Sequence, residues 1–214
     1  MVVRRATWWS PATAGARAHM YELLAHAYIY PSRQFFHQLR TREWFDQLRQ
    51  ATSQLPYRLP IRKGFRATTS LARLQEGYVG LFDVGPKGPP FPLYSGHHFR
   101  DRMQVMEELV RFYSFFGLRL APGHMPDHLT ILLEFMGRLA ASELHPQTEI
   151  GSYWRAQRDF LERHLLSWVP RLAQQVAQHK APLFYKALCL FTWRFLDADY
   201  RYLCQLLNTE GGEI

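Results

Sequence analysis

Apolar positions along most of the chain recur every three or four residues, the spacing that lines one face of a helix. Ala14, Ala18, Tyr21, Ala25 and Tyr28 form the first such stripe, with Leu24 on the same side. Ser10-Pro11 suits its start, a serine cap followed by a proline at the first helical position, and Pro31 is expected to stop it. Ser32 and Thr41 then open two shorter patterns, one carrying Phe35, Phe36 and Leu39, the other Trp44, Phe45 and Leu48. Residues 54–64 form a linker with two prolines. A stripe of Leu71, Leu74, Tyr78, Leu81 and Phe82 predicts a helix over residues 67–82. Another helix is predicted over 98–116, carrying Val105, Met106, Leu109, Val110, Tyr113 and Phe116. Past a break, Leu129, Leu132, Leu133, Met136, Leu139 and Ala140 repeat the period from a start at Pro126, and His145-Pro146 ends it. Further helices are expected over 149–166 and from near Pro170. The last runs from Pro182 to about Leu207 and is apolar almost all round in its first half, the signature of a helix at the centre of a bundle. Gly211-Gly212 begins a tail.

Two interruptions stand out. Residues 83–96 hold four prolines and three glycines in fourteen positions, which excludes helix and central strand. A loop of that length in a compact helical protein is usually functional, and Phe91 and Tyr94 give it the look of a binding surface. The second break, residues 117–128, is closed off by Gly117, Pro122, Gly123 and Pro126 and places His124, Asp127 and His128 between two helices. It reads as a hinge between an N-terminal lobe (1–121) and a C-terminal lobe (122–214), closely packed as a single structural unit.

Composition reinforces the helical reading. The 214 residues include 29 Leu against 8 Val and 5 Ile, whereas strands favour β-branched residues. The expected fold class is all-α, a bundle of nine or ten helices. The net charge of +8 allows a nucleic-acid partner, but the arginines are scattered singly among aromatic and acidic residues, a pattern of solvated surface. Cys189 and Cys204 share one helical pattern fifteen residues apart, roughly 22 Å of helix and beyond disulfide reach; they read as free thiols in a reducing compartment. No apolar run approaches the ~20 residues that cross a bilayer, and the stretch after Arg4-Arg5 lacks the apolar region of an export signal. A cytoplasmic protein without membrane insertion is expected.

The candidate chemistry is sparse. His124 and His128 have the four-residue spacing of a helical metal pair, which would suit a metal-dependent hydrolase. Pro126 between them and the missing glutamate of the zinc-protease pattern argue against it. Asp127, just before a helix, suits a plain capping role. There is no phosphate loop, nucleophile elbow or Cys-x-x-Cys pair, so neither an enzyme nor a bound cofactor is expected. A 15% aromatic content on a helical scaffold instead suits recognition of a peptide laid into a groove.

Five motifs in order give this reading a family. Tyr78-Val79-Gly80-Leu81-Phe82, Pro92-Leu93-Tyr94-Ser95, the stretch from Met106 to Leu118, Pro126-Asp127-His128-Leu129 with Leu133-Glu134-Phe135-Met136, and Phe184 through Leu196 together resemble the TorD/DmsD/NarJ family of redox-enzyme maturation chaperones. The resemblance covers about residues 75–200. One departure is the His124-Met125-Pro126 run, where the family commonly has a glutamate and a proline. The resemblance implies a chaperone that binds the twin-arginine leader and the apo-form of a molybdopterin-containing catalytic subunit and delays its export until the cofactor is inserted. It places this chain nearest the partners of dehydrogenases and reductases for dimethyl sulfide, ethylbenzene, chlorate or selenate. It points to Tyr78, Leu81, Phe82, Pro92, Tyr94, Asp127, His128 and Glu134 as peptide-binding residues. In this scheme Asp127 pairs with a leader arginine, Tyr78, Phe82 and Tyr94 hold the apolar segment, and Glu107, Glu108 and Glu134 are the other nearby carboxylates. A monomer is the default, with a domain-swapped dimer through the hinge as the alternative.

Overall fold

The structure is a computed structural model that describes residues 9–61, 65, 70–86, 88–145 and 149–210. Arg4-Arg5, the end of the linker at 62–64, Pro146 and Gly211-Gly212 lie outside the described residues. Among those described there are nine α-helices and no strand ladder. They are α1 (Pro11–Ala27), α2 (Arg33–Thr41), α3 (Glu43–Ser53), α4 (Leu71–Tyr78), α5 (Arg102–Phe115), α6 (Leu129–Ser142), α7 (Ile150–Phe160), α8 (Val169–Gln178) and α9 (Leu183–Glu210).

Side-chain caps set several of the starts. Ser10 accepts the Thr13 N–H at 3.1 Å, Ser32 the Phe35 N–H at 3.0 Å and Asp101 the Gln104 N–H at 3.0 Å. Four expected boundaries move. The first helix stops at Ala27, before Pro31. Of the helix expected over 67–82, residues 67–69 lie outside the described residues; the described part begins at Leu71, where Ser70 caps it, and its last turn, Val79–Asp83, widens into a π-turn. The helix expected from 98 begins at Arg102, because Ser95–His98 forms a separate 3₁₀ turn. The helix after the hinge opens at Leu129 rather than Pro126, and its cap is His128, not Asp127. Gly117, at φ +70° just beyond α5, takes the left-handed conformation that closes a helix most readily without a Cβ.

The long α9 lies against α7, α8 and α1, and α1 packs along α6 across the hinge. Apolar side chains from both sides of the hinge, such as Tyr21 and Leu24 with Leu132, Met136, Phe195 and Leu203, belong to one core. Among the described residues no second core is centred on either side. Free energy from burial is therefore shared, and the residues before the hinge are completed by those after it.

At the heart of the α1–α6–α9 contact sits a buried charge cluster that the apolar stripe of α1 does not announce. Arg17 is fully buried. Its guanidinium donates to Asp199 at 2.6 and 3.0 Å, to Glu143 at 2.6 Å and to Gln157 at 2.6 Å. Asp199 also accepts from the Tyr21 and Tyr57 hydroxyls, and Glu143 from the indoles of Trp9 and Trp154 and from Gln157. Burial works against the Arg17 charge, but the Asp199 and Glu143 carboxylates outweigh it and hold its pKa well above the ordinary value. Buried charge is tolerated only when paired and hydrogen-bonded in this way.

Candidate functional site

The loop after the π-turn folds back onto the hinge, and this contact builds the site. Leu93 is buried and its carbonyl accepts the Leu129 N–H at 2.7 Å; the Ser95 N–H donates to the Asp127 carbonyl at 2.7 Å. These bonds make an antiparallel bridge between Tyr94 and His128. The loop thus supplies a partner for a first-turn N–H of α6, a donor with none inside the helix. From the other side, the Tyr113 hydroxyl of α5 donates to the Pro126 carbonyl at 2.7 Å. Burial, and secondarily the Asp127 carboxylate, raises the pKa of that phenol.

Asp127 lies beneath this junction. Its side chain has no exposed surface; Oδ2 accepts the Gly96 N–H at 3.2 Å, and the Arg102 guanidinium stands 3.8 Å from the same oxygen. Gly96 is required here, since a Cβ would sit 2.9 Å from Asp127 Oδ2 and 2.4 Å from Arg102 Cγ. The direct pairing of Asp127 with a leader arginine expected from the resemblance does not fit this placement: the carboxylate is inside, holding the loop. Asp127 Oδ1, Ser95 Oγ and Thr130 Oγ1 are buried at the same junction without a hydrogen-bond partner.

His128 caps α6, its Nδ1 accepting the Thr130 N–H at 3.3 Å. In the neutral ring that leaves the proton on Nε2. Burial lowers its pKa, Asp127 opposing the shift and His124 adding to it. The ring meets Tyr94 edge to face at 4.8 Å.

Above the junction opens a hollow of about 300 Å³, walled by Tyr30, Tyr78, Tyr94, Met125, His128 and Glu134 among others. It meets a second hollow of about 390 Å³ at His124, Ile131 and Glu134; Leu118, Arg119, Leu120 and Arg138 line the far part. Together they form a groove along the outer face of α6. Tyr78 is anchored by its hydroxyl, which donates to the Tyr28 carbonyl at 3.0 Å, and burial pushes its pKa up to about 12. Tyr30 stands edge-on to it at 5.6 Å and is half exposed, as is Ile29.

Of the eight residues expected to bind peptide, four line the groove: Tyr78, Tyr94, His128 and Glu134. Phe82 is buried behind Tyr78 against Tyr28 and Tyr185, and Leu81 is buried with its carbonyl accepting the Phe91 N–H at 2.9 Å. Pro92 is partly buried in the loop, its carbonyl 3.0 Å from His98 Nε2. Glu107 pairs with Arg111, and Glu108 lies beside Gln104 and His164 in a different recess. Glu134 is the carboxylate the groove presents. Sequence reasoning missed Ile29, Tyr30, Met125, Ile131, Arg119 and Arg138; apolar Ile29-Tyr30 directly before a proline was the one usable signal. His124 is exposed and shares the groove with His128, and among the described residues no three His, Cys, Asp or Glu side chains gather as a metal site.

The fold and site define an all-helical protein with an aromatic-rimmed groove at the mouth of a hinge. The sequence profile of the nitrate reductase delta subunit family matches residues 32–174. The chain belongs to this family, the TorD/DmsD/NarJ group of redox-enzyme maturation proteins. It is 35% identical over 156 residues to the perchlorate reductase assembly chaperone of Dechloromonas aromatica, covering 70% of each chain. It is 30% identical over 186 residues to the dimethyl sulfide dehydrogenase assembly chaperone of Rhodovulum sulfidophilum, covering 80% of this chain and 73% of that one. The crystal structure of a candidate redox enzyme maturation protein from Archaeoglobus fulgidus superposes with a TM-score of 0.52 over 94% of this chain and 99% of the other; at 18% identity the likeness shows the fold alone.

Proposed function

We propose that this protein is a cytoplasmic assembly chaperone for the catalytic subunit of a molybdenum oxidoreductase. It binds the subunit's twin-arginine leader in the hinge groove and holds the subunit back from export while its cofactor is inserted. The relatives named as assembly chaperones of perchlorate reductase and dimethyl sulfide dehydrogenase support the role and the class of client. The observation that carries the site is the groove itself: Tyr30, Tyr78 and Tyr94 offer aromatic area beside one exposed carboxylate, Glu134. A leader peptide has the matching parts, an apolar segment beside two guanidinium groups. Rings contribute contact area at low entropic cost, and a carboxylate can take a guanidinium in a two-pronged hydrogen bond.

The net charge of +8 opposes a cationic peptide at long range, so affinity must come from contacts inside the screening length of about 8 Å. No reaction is assigned: the groove holds no nucleophile–base pair. We take the working form to be a monomer, since the α1–α6 contact and the Arg17 cluster close within a single chain. Light scattering after gel filtration checks this.

Titration of a fluorescent twin-arginine leader peptide tests the reading. Tyr94→Ala and Glu134→Gln should each weaken binding at least several-fold, with melting temperatures near wild type. Wild-type affinity in both variants, or no binding by the wild type, would remove the groove assignment.

A further inference from the structure

The far half of the groove is basic. Glu134, Arg138 and Arg119 are all exposed, and among the described residues none of their side chains makes an ion pair or hydrogen bond. Glu134 and Arg138 are one turn apart on α6, in the order that favours pairing along a helix, yet both charges remain free. Along the groove the chemistry therefore runs in sequence: tyrosine rings, then a carboxylate, then two guanidinium groups.

We propose that Arg138 and Arg119 read a third part of the leader, an acidic residue on the amino-terminal side of its arginine pair, and so select among clients. The inference rests on leader binding at this groove. Once the apolar segment lies on Tyr30, Tyr78 and Tyr94 and a leader arginine meets Glu134, the peptide's direction is fixed. The apolar segment of a twin-arginine leader follows its arginines, so the residues preceding them run toward Arg138. Four helical residues span about 6 Å, and an extended peptide covers that in about two residues. The favoured position is thus about two residues before the arginine that Glu134 holds. An acidic side chain there meets two unpaired cations; a lysine meets repulsion. Rejection of the wrong charge is how a shallow groove gains specificity.

Three labelled peptides test this, identical in arginine pair and apolar segment but with Glu, Gln or Lys two residues upstream. Fluorescence anisotropy with the wild-type protein should rank them Glu, Gln, Lys, with about a tenfold span, since each exposed charge contact contributes only a few-fold. In Arg138→Glu the order should reverse. In Glu134→Gln all three should weaken while keeping their order. In 0.5 M salt the wild-type span should shrink. All three substituted residues are exposed, and melting curves confirm that the variants fold. If the wild type binds all three equally, or if Arg138→Glu and Arg119→Glu bind with the wild-type ranking, the proposal is overturned while leader binding stands. Failure of the wild type to bind any of the three overturns both.

Discussion

Replacing Arg17 by methionine tests what holds the two sides of the hinge together. The substitution keeps an unbranched, apolar side chain in place but removes four hydrogen bonds and the only cation of the cluster, leaving Asp199 and Glu143 buried. Summed as independent charge-assisted bonds, the loss would exceed 6 kcal/mol. Such sums overshoot, because Tyr21 and Tyr57 keep donating to Asp199, and Trp9, Trp154 and Gln157 to Glu143. Breaking a buried pair from one side costs about 3–5 kcal/mol, and that is the expected loss here. With a urea m-value of about 2–3 kcal/mol/M for a chain of this size, the midpoint should fall by about 1–2.5 M. Melting should fall by about 10 °C. Arg17→Lys should lie between, retaining the charge but not the planar fork. The double variant Arg17→Met/Asp199→Leu should recover part of the loss. A deficit under about 1 kcal/mol for Arg17→Met, or strict additivity in the double variant, would refute the account of the cluster as mutually dependent charges.

Three further outcomes follow from particular groups. Asp127→Ala leaves the Gly96 N–H buried without its acceptor and should cost about 1–3 kcal/mol; hydrogen exchange should speed up at residues 95–96, whereas a role confined to peptide contact would leave exchange unchanged. His164 is buried among Phe112 and Phe160 with its Nε2 unpartnered, and burial lowers its pKa to about 4. The unfolded chain takes up this proton near pH 6.5 and the folded chain only near pH 4, so stability is full above pH 6.5 and falls as pH drops through that window, by up to about 3 kcal/mol. His164→Gln should flatten that part of the stability profile, and an unchanged slope would count against it. Burial pushes the Cys189 thiol up to about 12, and Cys204 is only partly buried; thiol-reactive dye at pH 8 should label Cys204 first and Cys189 only on unfolding.

Much of the fold is legible because it rests on local signals. Leucine excess, the caps at Ser10 and Ser32, Gly117 and the apolar start of α9 each act within a few residues of where they stand. The misplaced boundaries have a common cause: a local pattern continues where the backbone changes. Tyr78, Leu81 and Phe82 keep helical spacing through a π-turn, and the 3₁₀ turn at Ser95–His98 precedes α5 without joining it. Arg17 is opaque for another reason. An arginine on an apolar stripe reads as a long side chain reaching for water until Glu143 and Asp199 arrive from α6–α7 and α9, more than a hundred residues away. The candidate site divides in the same manner. Its neighbourhood was readable from the hinge and the Pro-rich loop, but not which carboxylate faces outward. Asp127 and Glu134 are seven residues apart, and only the return of Leu93–Gly96 onto the hinge buries one and leaves the other in the groove.

That return also explains how firmness is distributed. The α1–α6–α9 frame has its buried charges fully partnered, whereas the loop–hinge junction leaves Asp127 Oδ1, Ser95 Oγ and Thr130 Oγ1 unpaired. Each buried polar atom without a partner costs about 1–3 kcal/mol relative to a satisfied one. Against that burden stand two backbone bonds, the Asp127–Gly96 bond, the Arg102–Asp127 ion pair, the Tyr94–His128 ring contact and the buried Leu93 side chain. Local opening of such a junction is separable from global unfolding. Tyr94 moves with the loop, whereas Tyr78 and Glu134 stay with α4 and α6. The part of the groove lining that carries Tyr94 is thus tied to the loop, and the part that carries Tyr78 and Glu134 to the helices. Asp127 acts here on the loop it holds: by accepting the Gly96 N–H it sets where Tyr94 stands on the groove wall.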